Sequence, residues 1–501
     1  MKKMHWIRSL LCLLSVVFVL SAFAGCKGND TPGGVPSGGS QDPNGSNTDD
    51  GNQYDAEGYL KDSLPSDLNY DDEIKILGWN SEVTEFEVED TNEQTVDRAV
   101  WRRNKSTEAR LNVNLKFTVT KGDVSNIDNY KTTVQQAEAG GMAFDVIAAH
   151  SRSVAVCAAS GLLLNLGGIQ GSYFDFSAPW WNQTIIDQTM IGDVFYYVTG
   201  DIAPSLVQMI YCVYFNADLV RSLELESPYD LVDSNEWTLE NMMYMTENFY
   251  QDLNLNQKVD DGDRIPVGGW YYDWPALLHG CGVGMAARDE AGDLIIDPNL
   301  KGTKGLKVMQ SLQDWVTLDN CFVADSGNPV QTFLARNSMF LLTMSGRAMM
   351  SFSNIEFEYA CVPAPKYDSE QENYISTARQ PVSLFGVQKA VSSDRLAMVT
   401  AVMECMASQG YRETTPVIFE TVMQYQKSKS PDMSRMLTLI RDTAWFDFAR
   451  IYSYDLDYIC DRPGRYLAQN QAWSGYVNGT IPTVEKKLEK LVADLSALAE
   501  N

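Results

Sequence analysis

Residues 193–219 read DVFYYVTGDIAPSLVQMIYCVYFNADL, and the folding of this stretch decides how the rest of the chain is arranged. The turn pairs Gly192-Asp193 and Gly200-Asp201 punctuate it. Residues 194–198 are β-branched and aromatic, and a longer apolar run covers 206–215. Such runs, bounded by Gly, Asp and Asn, predict strands. The second run ends in Tyr214, Phe215 and Asn216, where a more polar, helix-like segment takes over. The plain reading is two paired strands of an α/β domain.

Upstream, order begins near Leu68. An alternating run at 73–77 ends in Gly78, Trp79 and Asn80, and predicts a strand feeding a loop. Residues 91–94, TNEQ, have capping-box spacing and predict a helix to about Leu111. A second strand is predicted over 113–119, a polar helix over 124–139, and a third strand over 144–149. Strand and helix alternating with short links predict a mostly parallel sheet covered by helices. At the other end Leu488, Leu491, Val492, Leu495 and Leu498 share one face of a predicted helix over 482–498.

At 501 residues the chain is long enough for two or three domains, and 45% hydrophobic residues suffice for a large core. A formal charge of −27 repels phosphate backbones, which argues against nucleic acid as a partner. The N-terminus has a basic start (Lys2, Lys3, Arg8), an apolar run over 10–23 and then Ala24-Gly25-Cys26, which predicts a secretory signal over 1–25. Cys26 is similar to the acylated cysteine of a bacterial lipobox, although Phe23 replaces the usual Leu; several acyl chains there would anchor the protein firmly to a membrane. The Gly/Ser/Asn/Asp/Pro stretch 27–54 reads as a flexible tether with a span of roughly 30 Å. Of nine cysteines, Cys157, Cys212, Cys281, Cys321, Cys361, Cys405 and Cys460 remain in the body; none forms a close pair, so no disulfide framework or zinc knuckle is predicted.

The order of the segments resembles the extracellular, lipid-anchored solute-binding proteins of bacterial carbohydrate ABC transporters, clostridial members in particular. The segments are GWN at 78–80, RRNKSTEARLNVNLKF at 102–117, FDVIAAH at 144–150, GLLLNL at 161–166 and the Trp180-Trp181 pair after Pro179. They continue with YFNADL at 214–219, NEWTLENM at 235–242, FLARNSMFLLTMSGRAMM at 333–350 and VPAPKYD before PVSLFGVQKAV. The resemblance covers roughly residues 69–500. It implies an α/β, two-lobed periplasmic-binding-protein-like (type II) fold with a hinge. Residues 26–68 would be the lipidated cysteine and tether, 69–213 with 362–425 lobe one, and 214–361 with 426–501 lobe two; the YFNADL segment would be the first crossover. It further implies a monomer on the outer face of the cell membrane that captures a carbohydrate ligand and delivers it to ABC permease transmembrane subunits.

Catalytic motifs are scarce. There are three histidines, one of them (His5) in the leader, and no G-x-S-x-G, HExxH or phosphate-binding loop. Gly280, Gly282 and Gly284 lack dinucleotide spacing and read as a turn. Paired carboxylates among 66 acidic residues keep a lipid-anchored carbohydrate hydrolase open, and a polysaccharide-docking surface protein without a transporter is a further alternative. A sugar site needs flat aromatic platforms and a few fixed polar groups, placed past the carboxyl ends of strands. The substrate-binding set expected on these grounds is Trp79, Asn80, His150, Trp181 of the Trp180-Trp181 pair, Asp201, Trp270, Tyr271, Arg347 and Trp445, with no catalytic residue.

One local motif stands apart. In DLNLNQKVDDGD, Asp252, Asn254, Asn256, Lys258 (through its carbonyl), Asp260 and Asp263 fall at positions 1, 3, 5, 7, 9 and 12 of a loop resembling EF-hand and dockerin calcium sites. Gln257 stands where such loops have their turn glycine, and Asp263 where EF-hands have glutamate. The expectation is a structural Ca²⁺ bracing the loop before the strand that starts at Ile265.

Overall fold

The computed structural model describes residues 53–90, 95–141, 144–424 and 431–499. The leader, Cys26, the tether as far as residue 52 and the capping box at 91–94 lie outside the described residues. What is described belongs to the unit that begins at Gln53.

Among the described residues two sheets dominate, built from β1 (Asp72–Trp79), β2 (Val113–Thr120), β3 (Val146–His150), β4 (Tyr211–Asn216), β5 (Ile265–Trp270), β6 (Phe322–Ala324), β7 (Ser338–Met344), β8 (Tyr359–Val362) and β9 (Ser383–Val387). The first sheet has the order β9-β3-β1-β2. β1 runs parallel to β2 from Asp72↔Val113 to Trp79↔Thr120, and parallel to β3 on its other edge. The connections are the helices Thr95–Leu111 and Ile127–Ala139, as the alternation of periods predicts. Tyr130 anchors the second helix, its buried hydroxyl donating to the carbonyl of Leu77 at 2.8 Å.

β9 closes this sheet antiparallel to β3 although more than two hundred residues separate them. Between them the chain builds the second sheet, order β8-β4-β7-β5-β6, with β4 antiparallel to both neighbours and β5 parallel to β7 and β6. β3, β4, β7, β8 and β9 are buried along their whole length. That is why they read as apolar runs without alternation. Two α/β lobes, each discontinuous in sequence, result.

The opening stretch departs from its expectation. Residues 194–198 form no ladder; they make isolated bridges, Val198 exchanging hydrogen bonds with Phe385 on the outer edge of β9 at 2.9 and 2.8 Å. The run 206–215 splits into the short helix Pro204–Gln208 and β4. Pro204 sits in the first turn, where a missing N–H costs nothing and a fixed φ suits a helix. β4 then turns into the helix Ala217–Ser222, capped by the Asn216 side chain.

Two passages cross between the lobes, one through 199–210 and one through 363–382. They meet side by side: Arg379 N–H donates to the Met209 carbonyl at 2.7 Å and Ile210 bridges Ala378, while Ser376–Thr377 of the second passage pairs in parallel with Ala444–Trp445 of the C-terminal region. The boundaries expected at 213/214 and 361/362 fall inside β4 and β8, so both passages lie on the first-lobe side of those strands. The C-terminal region touches both lobes. Its helix Arg462–Ala468 lies against β6, while Ile481–Ala499 reaches the first lobe, where Tyr196 donates to the Leu495 carbonyl at 2.9 Å. The seven cysteines of the body are free and buried.

Candidate binding cleft

The carboxyl ends of β1, β2, β3 and β5 open onto one hollow of about 570 Å³ between the two sheets. It receives Glu82 from beyond β1, Val124 and Ser125 from beyond β2, His150 and Arg152 from the end of β3, and Tyr271 and Tyr272 from the end of β5. Arg379, Gln380 and Pro381 enter from the second interlobe passage, and Tyr458, Asp461, Arg462 and Arg465 from the C-terminal region. A volume of this order accommodates a few sugar rings, and its position past the strand ends is where open α/β sheets hold ligands.

His150 caps the helix Ser151–Ala159, and its Nδ1 accepts the N–H of Arg152 at 3.2 Å. Burial, and then the charges of Arg152 and Arg379, hold its pKa well below the ordinary imidazole range, so the ring is neutral with its proton on Nε2. The Arg152 guanidinium pairs with Asp461 at 3.0 Å, donates to Ser453 at 3.2 Å and lies 5.2 Å from the centre of the Tyr458 ring. Gln380 ties the passage to the first lobe: its carbonyl accepts the Ser151 hydroxyl at 2.8 Å.

Each of the three tyrosines carries an arginine against its ring. Arg465 lies 4.2 Å from the centre of Tyr271 and donates to its hydroxyl at 2.7 Å, and Arg379 lies 5.1 Å from the centre of Tyr272 while pairing with Glu82 at 3.0 Å. Burial raises the pKa of both phenols, that of Tyr272 to about 12, so both keep their protons and can donate to an oxygen. Tyr272 is nearly parallel to Trp270 (8°, centroids 6.1 Å apart), and Arg347 covers Trp270 at 5.5 Å. The result is a wall of alternating aromatic and guanidinium surfaces.

The expected substrate-binding residues separate into groups. His150 and Tyr271 line the cleft, and Trp270 and Arg347 stand directly behind Tyr272. Trp79 is buried beneath the cleft floor, its ring 5.6 Å from that of His150 and its indole N–H donating to Ser383 at 2.7 Å. Asn80 is exposed one residue beyond β1. Trp181 and Asp201 lie apart, around a separate hollow of about 210 Å³. There the indoles of Trp180 and Trp181 donate to the two oxygens of the buried Glu404 at 2.9 and 2.8 Å, while Asp201 accepts the Thr415 hydroxyl and pairs with Arg441 at 3.2 Å. Trp445 borders a third hollow of about 270 Å³ beside His279.

Sequence reasoning did not single out the other polar and aromatic cleft residues, Glu82, Arg152, Tyr272, Arg379, Gln380, Tyr458, Asp461, Arg462 and Arg465. Arg152 and Tyr272, one or two residues past recognised strand ends, were within reach of that reasoning. The rest arrive through chain reversals that only tertiary structure reveals.

The 252–263 loop is held by its own side chains. Asp252 accepts the Gln257 N–H at 2.9 Å, Asp263 accepts the Leu253 N–H at 3.1 Å, and Asn254 and Asn256 donate their amide N–H groups to the Asp260 carboxylate at 2.9 and 2.6 Å. Among the described residues no cluster of three or more His, Cys, Asp or Glu side chains has metal-holding geometry. The donor types suit a hard cation, but the two amides would have to present oxygen where they now present nitrogen.

No protein-family model matches the chain, and no curated protein matches it. Solved structures do. An ABC substrate-binding protein from Listeria monocytogenes in complex with cycloalternan shares 14% identity, with a TM-score of 0.55 over 83% of this chain and 99% of that one. A cyclo/maltodextrin-binding protein complexed with maltotetraose has 14% identity and a TM-score of 0.54 over 84% and 97%. The cyclic α-maltosyl-1,6-maltose binding protein from Arthrobacter globiformis has 12% identity and a TM-score of 0.56 over 84% and 98%. At such identities the likeness is one of fold. The chain has the two-lobed, periplasmic-binding-protein-like α/β fold.

Proposed function

We propose that this chain is the substrate-binding component of a carbohydrate ABC importer, catching a sugar or oligosaccharide between its lobes and presenting it to a membrane permease. The observation that supports this best is the cleft itself. Tyr271 and Tyr272 from one lobe face His150 and Arg152 from the other across a hollow of about 570 Å³, beside the two passages that link the lobes. A ligand touching both walls favours whichever arrangement brings them together, and a permease that reads that arrangement senses occupancy. The three similar structures, whose names specify sugar ligands or an ABC substrate-binding role, support the same reading. The leader and Cys26 would place the protein on the outer face of the membrane, lipid-anchored, and the family resemblance implies a monomer. A structural Ca²⁺ in the 252–263 loop is a separate proposal that rests on the spacing of its oxygen-bearing side chains.

The test is calorimetric titration with mono- and oligosaccharides beside a reducing-sugar assay. Saturable binding with the sugar recovered intact is expected; a ligand at ~100 times its Kd adds ~2.7 kcal/mol of stability. Steady release of reducing ends would favour a hydrolase, and no soluble ligand at all would favour a docking protein.

A further inference from the structure

The charge of the cleft runs against that of the protein. The chain carries 66 acidic and 39 basic residues, yet the cleft lining holds four arginines, Arg152, Arg379, Arg462 and Arg465, against two carboxylates, Glu82 and Asp461. Both carboxylates are committed: Asp461 takes Arg152 at 3.0 Å and Glu82 takes Arg379 at 3.0 Å. Arg462 and Arg465 have no carboxylate partner among the described residues. Arg462 donates through Nε to the backbone carbonyl of Asp457 at 3.2 Å, and the Asp457 carboxylate is taken by Lys487 at 2.5 Å. Among the described residues the Arg465 guanidinium donates one hydrogen bond, to the Tyr271 hydroxyl. Both are half-buried on one helix, three residues apart, with their remaining N–H donors unassigned.

Two partly buried guanidiniums with no carboxylate in ion-pair reach leave N–H donors open towards the cleft. Neutral hydroxyls could accept their hydrogens without cancelling the charge. A carboxylate or sulfate would do both, since its paired oxygens match the guanidinium fork. At physiological salt the screening length is ~8 Å, so the acidic surface elsewhere does little to an anion already inside the cleft.

We propose, on the reading that this cleft is the sugar site, that its ligand is an acidic oligosaccharide whose carboxylate or sulfate ester is held by Arg462 and Arg465 while a ring lies against Tyr271. The test is calorimetric titration with length-matched panels of uronate-bearing, sulfated and neutral oligosaccharides, at about 50 and about 300 mM NaCl. The wild type is compared with the double variant Arg462→Gln/Arg465→Gln, its fold checked by thermal melting and circular dichroism. The expected result is an acidic ligand bound at least about tenfold tighter than any neutral one and weakened by salt, with that advantage lost in the double variant. Whether the uronate or the sulfated panel carries the tight binder identifies the anion. A neutral sugar bound tightest, with affinity indifferent to the double variant, would overturn the acidic preference and leave sugar capture standing. No binding in any panel would overturn both.

Discussion

Gly464 sits against the backbone of Tyr271 so closely that a β-carbon on it would lie 1.7 Å from the Tyr271 carbonyl oxygen. This contact docks the C-terminal helix Arg462–Ala468 onto the end of β5 and sets Arg465 over the Tyr271 ring. Substituting Gly464→Ala must push the helix away, because the clashing atom is backbone and cannot rotate aside. The expected cost is ~1–3 kcal/mol in denaturant unfolding, as for other overpacked sites. Ligand affinity should fall with it, measured by titration calorimetry; a variant as stable and as tight-binding as wild type would show that the helix does not shape the cleft.

Tyr271 and Trp445 were both expected at the ligand, yet only Tyr271 lines the main cleft. Tyr271→Ala should weaken sugar binding by about 3- to 10-fold or more, the worth of a lost aromatic contact. Trp445→Ala should leave affinity within about twofold while lowering the melting temperature. Equal losses in both variants would place the ligand elsewhere.

Much of the fold could be read before any coordinates. β5 begins at Ile265 as expected, although its IPVGGW sequence holds one Pro and two Gly, and the last helix follows from its leucine stripe. The opening stretch was legible only in part. An apolar run such as 206–215 fits a buried strand or a buried helix equally, and the signal that divided it was Pro204. For the cleft, position past a strand end is what His150 and Tyr271 share, and both line the hollow. Residue type was a poorer guide: Trp79 and Trp181 are buried, where Ser383 and Glu404 accept their indole N–H groups. The arginines at 462 and 465 come from a sequence-distant segment, and nothing local marks them.

Three buried carboxylates set a pH dependence. Burial raises Asp273 and Glu404 to about 7 and Asp447 to about 6, in each case against hydrogen bonds or charges that favour ionisation. Between the ordinary carboxylate range and these values the folded chain holds protons that the unfolded chain has released. Their contribution is therefore fully present at low pH and is lost as pH rises towards about 7, beyond which it stays flat. Melting temperatures from about pH 5 to about pH 8 should show this decline, and Glu404→Gln should shallow it. A slope of opposite sign, or one unchanged in the variant, would contradict the assignment.

Calcium is separable from the rest. If the 252–263 loop takes a cation, millimolar Ca²⁺ should raise the melting temperature and EGTA should reverse the rise, with Asp260→Asn blunting both. A melting temperature indifferent to EGTA removes the ion.

The most direct measurement concerns movement between the lobes. Spin labels at cysteines introduced at Lys116 on β2 and at Leu318, both exposed and on opposite lobes, report the interlobe distance without competition from the seven buried native thiols. With the sugar identified by calorimetry, the expected result is a ligand-dependent shift of the distance distribution to a second population, saturating with the binding curve. A distribution unchanged at full occupancy would mean that the two sheets do not move against each other when the cleft fills, and would contradict capture by closure.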